Sequence, residues 1–368
     1  MDIPKFNIKL PFGKKKKAKN LVGLDIGSFQ VKIVVLHQDE KGNISFVKAG
    51  KKTLSHGTIV DKDIRDREGI IFALQNLVDE IDPDINEVTL SLAGHKVLVD
   101  KIEIPNPSAK GKQETQIQEA VMVEAEQRIP TGIESVQLDH IELGKSEDGK
   151  HIQALLVAAR NELVEDYTGA VMDAGLIPVV IDLDSIALYN IFEFNYDIPQ
   201  EECIALVNIG HSLSNIAFIL NGKLFSVRDI SNAAQGVWDR LQTELHLSSD
   251  DLNELMTGSV PIEQSPTMKK AVSNATEDLG IGLGMSFSYL ENITGGIKVD
   301  RVYFTGGAIG IPFLVDALAN KLKLPCELLD SLARIRFDPA VFGDTSLEVA
   351  KSIYAIGISL ALRSMEVV

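Results

Sequence analysis

Asp25, Gly27, Ser28 and Lys32 fall within the run Leu21-Val-Gly-Leu-Asp25-Ile-Gly27-Ser28-Phe-Gln-Val-Lys32-Ile-Val-Val-Leu36. An acid followed two residues later by glycine, and then by a hydroxyl, is a pattern suited to phosphate. The glycine lets the backbone approach a ligand closely, and successive N–H groups with the Ser28 hydroxyl form an anion-binding nest. In that chemistry Asp25 orients water around a Mg²⁺ ion, and Lys32 adds positive charge if its side chain points inward. The run Ile204-Ala-Leu-Val-Asn208-Ile-Gly210-His211-Ser-Leu-Ser-Asn215-Ile-Ala-Phe-Ile219 repeats the pattern without a gap, at an offset of 183 residues in a chain of 368. A third run, Val302-Tyr-Phe-Thr305-Gly306-Gly307-Ala-Ile-Gly310-Ile-Pro312, is a strand entering a glycine-rich loop. Leu314, Leu318 and Leu322 follow it at helical spacing. Strand, glycine loop and helix together make an anion or nucleoside site.

These residues need elements to hold them. The first two runs each read as a buried strand, a polar turn with glycine and a second β-rich run, which is a hairpin. A half-length offset is what duplicated domains facing each other across a cleft produce. Strand and helix patterns alternate in each half, which predicts α/β sheets. Asn221-Gly222 between two β-rich runs predicts a type I′ turn. Residues 105–113 and 144–150 read as loops on either side of a helix over Glu114–Gln127.

Composition narrows the function classes. At 45% hydrophobic and 24% charged the chain is globular rather than disordered. No run approaches the ~18 apolar residues of a membrane helix, and the N-terminus lacks the apolar core of a signal peptide. Two cysteines, Cys203 and Cys326, make no disulfide framework, and the seven histidines show no metal-ligand spacing. The net charge is −16, but residues 1–19 hold seven lysines against Asp2 alone, so the remainder carries −22. So acidic a body repels nucleic acid. Lys14–Lys17 in the tail would be drawn to an anionic inner leaflet, or serve only as a solvated arm.

Together the three motifs resemble the actin/Hsp70/sugar-kinase ATPase superfamily, an α/β fold of two facing lobes. The run Glu124-Ala-Glu126-Gln127-Arg128-Ile129-Pro130 is similar to a signature of the type IV pilus assembly protein PilM family, relatives of the cell-division protein FtsA. So are the runs from Asp166 to Leu176 and from Tyr354 through Gly357 to Arg363. The likeness covers about residues 20–368. It implies subdomain 1A at 20–86, 161–200 and 344–368, and a 1C insertion at 87–160. Subdomain 2A would take 201–228 and 272–343, with 2B at 229–271, after a basic extended tail at 1–19. It also implies a cytoplasmic scaffold, peripheral at the inner face of the inner membrane, among other pilus machine components. That scaffold would hold the N-terminal cytoplasmic peptide of PilN in a groove between 1A and 1C.

The same resemblance implies ATP or ADP with Mg²⁺. The nucleotide would meet Asp25, Gly27, Ser28, Lys32, Asn208, Gly210, Thr305, Gly306 and Gly307, and Asp25 would hold the metal through water. Asp182 is the better positional match for a catalytic carboxylate, with Asp184 beside it. The superfamily's second phosphate loop opens on aspartate, and here Asn208 stands in its place. An amide accepts from metal-bound water but brings no charge and cannot act as a base, so hydrolysis is expected to be weak or absent. His211 stands where many relatives have glycine. Gly280, Gly282 and Gly284 fill a helix where relatives present a basic residue to adenosine, which reads as close packing or as a relaxed site. An FtsA-like protein would carry an amphipathic helix beyond Arg363, where only Ser364–Val368 follows. A sugar or acid kinase would need the aspartate lost at 208, and a pseudo-ATPase adaptor would bind no nucleotide. The tail run Phe6-Asn7-Ile8-Lys9-Leu10-Pro11 alternates with period two and is similar to the peptides PilM proteins take from PilN, so it is expected to be extended.

Overall fold

The computed structural model describes residues 19–107, 113–146, 148–248, 251, 265–343 and 345–366. Lys14–Lys17 and the Phe6–Pro11 run lie outside the described residues. The first lobe begins with three antiparallel strands, β1 (Lys19–Ile26), β2 (Gln30–Gln38) and β3 (Ile44–Thr53). Ile33 to Leu36 are consecutive and all buried, as in a strand covered on both faces. A two-residue turn joins the short strands β4 (Ile59–Val60) and β5 (Asp63–Ile64). Asp66 then caps α1 (Arg67–Ile81) by accepting the Gly69 N–H at 2.9 Å. Ile70, Leu74 and Leu77 on one face of α1 enter the core.

β6 (Glu87–Leu92) pairs parallel with β1. This corrects one boundary: residue 87 starts a strand of the first sheet, and the insertion's own sheet begins only at Val97. The insertion comprises β7 (Val97–Pro105), α2 (Gln113–Arg128), β8 (Val136–Lys145) and β9 (His151–Arg160), in the order β7-β9-β8. β9 serves two cores by strand alternation. Leu155, Val157 and Ala159 join the core of the first lobe, whereas Ala154, Leu156 and Ala158 join Ile117, Val121 and Ala125 of α2. That shared strand seats the insertion on the lobe.

α3 (Asn161–Asp173), β10 (Ile177–Leu183) and α4 (Asp184–Asn195) complete the first sheet in the order β10-β6-β1-β2-β3. α4 packs against strands of both lobes and is buried along most of its length. The second lobe repeats the plan. β11 (Ile204–Ile209), β12 (Ser214–Leu220) and β13 (Lys223–Ile230) form an antiparallel meander, with Asn221 and Gly222 both at positive φ in the turn, as expected for type I′. α5 (Ala234–Leu245), α6 (Pro266–Ala275) and α7 (Glu277–Thr294) follow. β14 (Arg301–Thr305), α8 (Leu314–Leu322) and β15 (Cys326–Leu328) then finish the lobe. The sheet order β13-β12-β11-β14-β15 mirrors that of the first lobe, meander strands on one side and parallel strands on the other.

β13 runs to Ile230, past the boundary expected at 228. Among the described residues, the stretch assigned to 2B has no core of its own. Ala234, Val237, Leu241 and Ala271 share one apolar cluster with β11 and β14. After α9 (Leu347–Ile353), α10 (Ala355–Arg363) returns to cross β1. The crossing requires glycine, since a Cβ on Gly23 would stand 2.0 Å from the Gly357 carbonyl oxygen.

Candidate nucleotide cleft

The two phosphate-type hairpins meet across the interface between the lobes. Their turns are closed alike: Gly27 N–H donates to the Gln30 carbonyl, and Gly210 N–H to that of Leu213, both at 3.0 Å. Ser28 and His211, equivalent positions of the repeat, stand 3.4 Å apart, and Ser28 shares a 2.7 Å hydrogen bond with Ser212. Phe29 stacks on His211 at 5.2 Å between ring centroids and meets Trp238 edge-on at 5.0 Å. Burial lowers the His211 pKa below its ordinary 6.5, with His56 adding a smaller repulsion.

Strand register sets the charges behind the turns. In the first lobe Asp25, Lys32 and Lys51 lie opposite one another across β1, β2 and β3. Lys32 Nζ donates to Asp25 Oδ2 at 2.8 Å. Lys51 faces the like charge of Lys32, and burial together with that repulsion lowers its pKa. Like charges directly opposite each other destabilise a sheet, so the pair suits a site that receives an anion. The second lobe aligns Asn208, Asn215 and Asp229 across β11, β12 and β13. Asn208 Nδ2 donates to Asn215 Oδ1 at 2.9 Å, and Asn215 Nδ2 to Asp229 Oδ1 at 2.8 Å. Burial raises the Asp229 pKa, against hydrogen bonds from Asn215 and the Gly94 N–H.

A cleft of about 110 Å³ gathers most of the expected residues: Asp25, Gly27, Ser28, Lys32, Asn208, Gly210, Gly306 and Gly307 all line it. Gly306 holds φ 104°, and a Cβ there would come within 2.6 Å of Asn208 Oδ1. The glycine loop after β14 therefore lies directly against the second hairpin. Two of the expected residues lie behind the cleft wall. Thr305 is fully buried, and its hydroxyl donates to the Ser352 carbonyl at 3.1 Å, so it anchors the loop from behind. Asp182 is also buried, with Oδ2 3.3 Å from Arg363 Nε of α10. Asp184 lines the cleft instead, because β10 ends between the two acids and α4 begins.

Three further residues had no clear sequence signal. Lys51 is set by register alone. Asp229 reaches the site from β13, accepting the Gly94 N–H at 2.7 Å. Lys62 occupies the β4–β5 turn, where it and Asp61 both have positive φ, a conformation costing about 1–2 kcal/mol per residue. Its Nζ stands 3.3 Å from Asp184 Oδ2, which also accepts from Ser91 through its other oxygen. Burial opposes the Lys62 charge, but Asp184, Tyr167, Asp229 and Asp25 outweigh it and raise the pKa.

The geometry fits a phosphate ligand. Two facing glycine turns, a charged hairpin and a close-packed glycine loop converge on one space. The Trp238 indole N–H at its edge has no partner among the described residues. Among the described residues no cluster of three or more acids, histidines or cysteines is placed to hold a metal alone. In α7, close packing accounts for two of three glycines: a Cβ on Gly280 would meet Lys321, and one on Gly282 would meet Asn232, while Gly284 has open space.

Comparison with known proteins agrees with this architecture. The family described as type IV pilus assembly protein PilM matches residues 23–365. A solved PilM-PilN type IV pilus biogenesis complex is similar with a TM-score of 0.77 and 22% identity, covering 93% of this chain and 98% of that one. The ethanolamine utilization protein EutJ from Carboxydothermus hydrogenoformans has a TM-score of 0.56 and 14% identity, over 95% and 91% of the two chains. MreB 5 of Spiroplasma citri bound to AMPPNP gives 0.50 and 11%, over 95% and 98%. The shared feature is the fold, two facing α/β lobes of the actin-like kind.

Proposed function

The chain belongs to the type IV pilus assembly protein PilM family, and on that premise we propose that it is a nucleotide-binding scaffold that holds the N-terminal cytoplasmic peptide of a PilN partner. The observation that carries the nucleotide half is the Asp25–Lys32–Lys51 row facing Gly306 and Gly307 across the cleft. Bound Mg²⁺ would supply charge neutralisation of the phosphates. Lys32 and Lys51 would bind their oxygens, and Asp25 would help hold the ion through water. The Ser28 hydroxyl, freed from Ser212, donates to the same group, and the glycine turns admit the phosphate chain. ATP or ADP would bind, but Asn208 spends its amide N–H₂ on Asn215 and cannot take a proton from water. Turnover is therefore expected to be slow.

The peptide half draws on a second cavity of about 510 Å³, where the first lobe, the insertion and β13 meet. Val97, Leu98 and Val99 line it, and they belong to β7, an edge strand of the insertion sheet. An edge strand beside a cavity of mixed polar and apolar lining suits an extended peptide, with backbone bonds giving affinity and pockets reading alternate side chains. The scaffold would work peripherally at the inner face of the inner membrane; no helix of the described residues is long and apolar enough to cross it. Calorimetric titration of the full chain with a synthetic PilN N-terminal peptide, with and without Mg-ATP, tests both halves. Peptide should bind in each case, with affinities shifted by the factor that peptide imposes on ATP. Absence of peptide binding under both conditions would overturn the scaffold reading.

A further inference from the structure

Lys62 is placed in a way that its ion pair with Asp184 does not require. It fills the second position of a two-residue turn at φ 68°, where glycine or asparagine is the usual occupant. Tyr167 pins that turn, its hydroxyl donating to the Lys62 carbonyl at 3.1 Å. Gly94 makes room for the side chain, since a Cβ there would stand 2.8 Å from Lys62 Cγ. The backbone is thus fixed, and the ammonium is delivered on a long stem to Asp184, 3.3 Å away, at the wall of the cleft that Asp25 also lines.

Its position in the cleft is also directional. Lys62, Ser212 and Leu213 line both the cleft and the second cavity, whereas Gly306, Gly307 and Ala308 line the cleft but not that cavity. A nucleotide whose nucleoside end rests on the Gly306–Ala308 loop directs its phosphates toward Lys62. We propose that Lys62 reads the outermost phosphate, leaving Asp184 for the γ-phosphate of ATP and so making the cleft prefer triphosphate to diphosphate. The exchange moves a buried cation from one anion to another, so it never loses a partner. Asp184 keeps the Ser91 hydroxyl, 2.5 Å away.

The inference rests on the nucleotide reading above. Its test is titration of the full chain and its Lys62→Asn and Lys62→Arg variants with ATP and with ADP, each with Mg²⁺. The readout is fluorescence of Trp238, the chain's one tryptophan and a residue of the cleft wall. Lys62→Asn should weaken ATP tenfold or more and ADP by less than twofold, and Lys62→Arg should keep most of the preference. If Lys62→Asn does not fold, Lys62→Gly, which accepts positive φ without strain, carries the same expectation. Equal losses for ATP and ADP would mean that Lys62 only neutralises Asp184, and would overturn the proposal alone. Failure of the wild-type chain to bind either nucleotide would overturn the underlying reading as well.

Discussion

The two lobes repeat one another strand for strand, but the rows of residues crossing their inner strands carry different charges. In the first lobe the row is Asp25, Lys32 and Lys51; in the second it is Asn208, Asn215 and Asp229. The first row has a surplus of positive charge, since Asp25 pairs Lys32 and leaves Lys51 as a second lysine opposite it. The second is a chain of hydrogen bonds ending on the Gly94 N–H, at the base of the insertion. The register is the same in both lobes, but one row carries a surplus of lysine suited to phosphate and the other is a hydrogen-bonded run of two amides and one acid. The packing behind the rows diverged too. Gly23 of β1 admits α10, whereas Leu206 holds the equivalent place in β11 and is buried against other elements.

Making the lobes alike at that last position should have the largest effect. Gly23→Leu drives a side chain into the backbone of α10, and a cost of about 4 kcal/mol or more is expected. Urea denaturation would register it as a lost or strongly shifted transition. Asp25→Asn, which copies the second row into the first, should leave the fold intact and weaken Mg-ATP by about 10- to 100-fold, or ~1.4–2.7 kcal/mol. On the proposed role of Asp25 in holding the metal through water, calorimetry in EDTA should show no such loss.

Lys51→Met separates function from stability. Removing one of two opposed lysines should stabilise the free protein by about 0.5 kcal/mol while weakening ATP about threefold. A loss of both would mean that Lys51 is merely structural. The smallest effect concerns His211. Its pKa is depressed in the folded chain, so neutral His211 contributes stability above 6.5, and that contribution is lost as pH falls through the lower folded value. Acidification should therefore loosen the Phe29–His211–Trp238 stack and change Trp238 emission. In His211→Gln the same titration should be flat.

Much of this cleft is legible in the sequence. The glycine turns and alternating strands locate both hairpins, and the 183-residue offset pairs Ser28 with His211, which do touch. What the sequence hides is decided by distant pairing. Lys51 and Asp229 matter because β3 and β13 fall in a particular register, which no local pattern encodes. Lys62 sits in a tight turn without the glycine that would mark it. Asp182 and Asp184 are two residues apart, and only the point where β10 gives way to α4 decides which faces the cleft. The strand at 87–92 reads equally well as the start of an insertion or as a member of the first sheet, until its pairing with β1 is seen.

The central claim is that this pair of walls, one rich in lysine and one built on amides, retains nucleotide without turning it over. Mg-ATP binding and steady-state phosphate release, measured on the same preparation of the full chain, test it most directly. The account predicts saturable binding with turnover far below the ~10 s⁻¹ typical of enzymes, and a rise, if any change, in Asn208→Asp. Wild-type turnover near that typical figure, or no saturable binding at all, would contradict it.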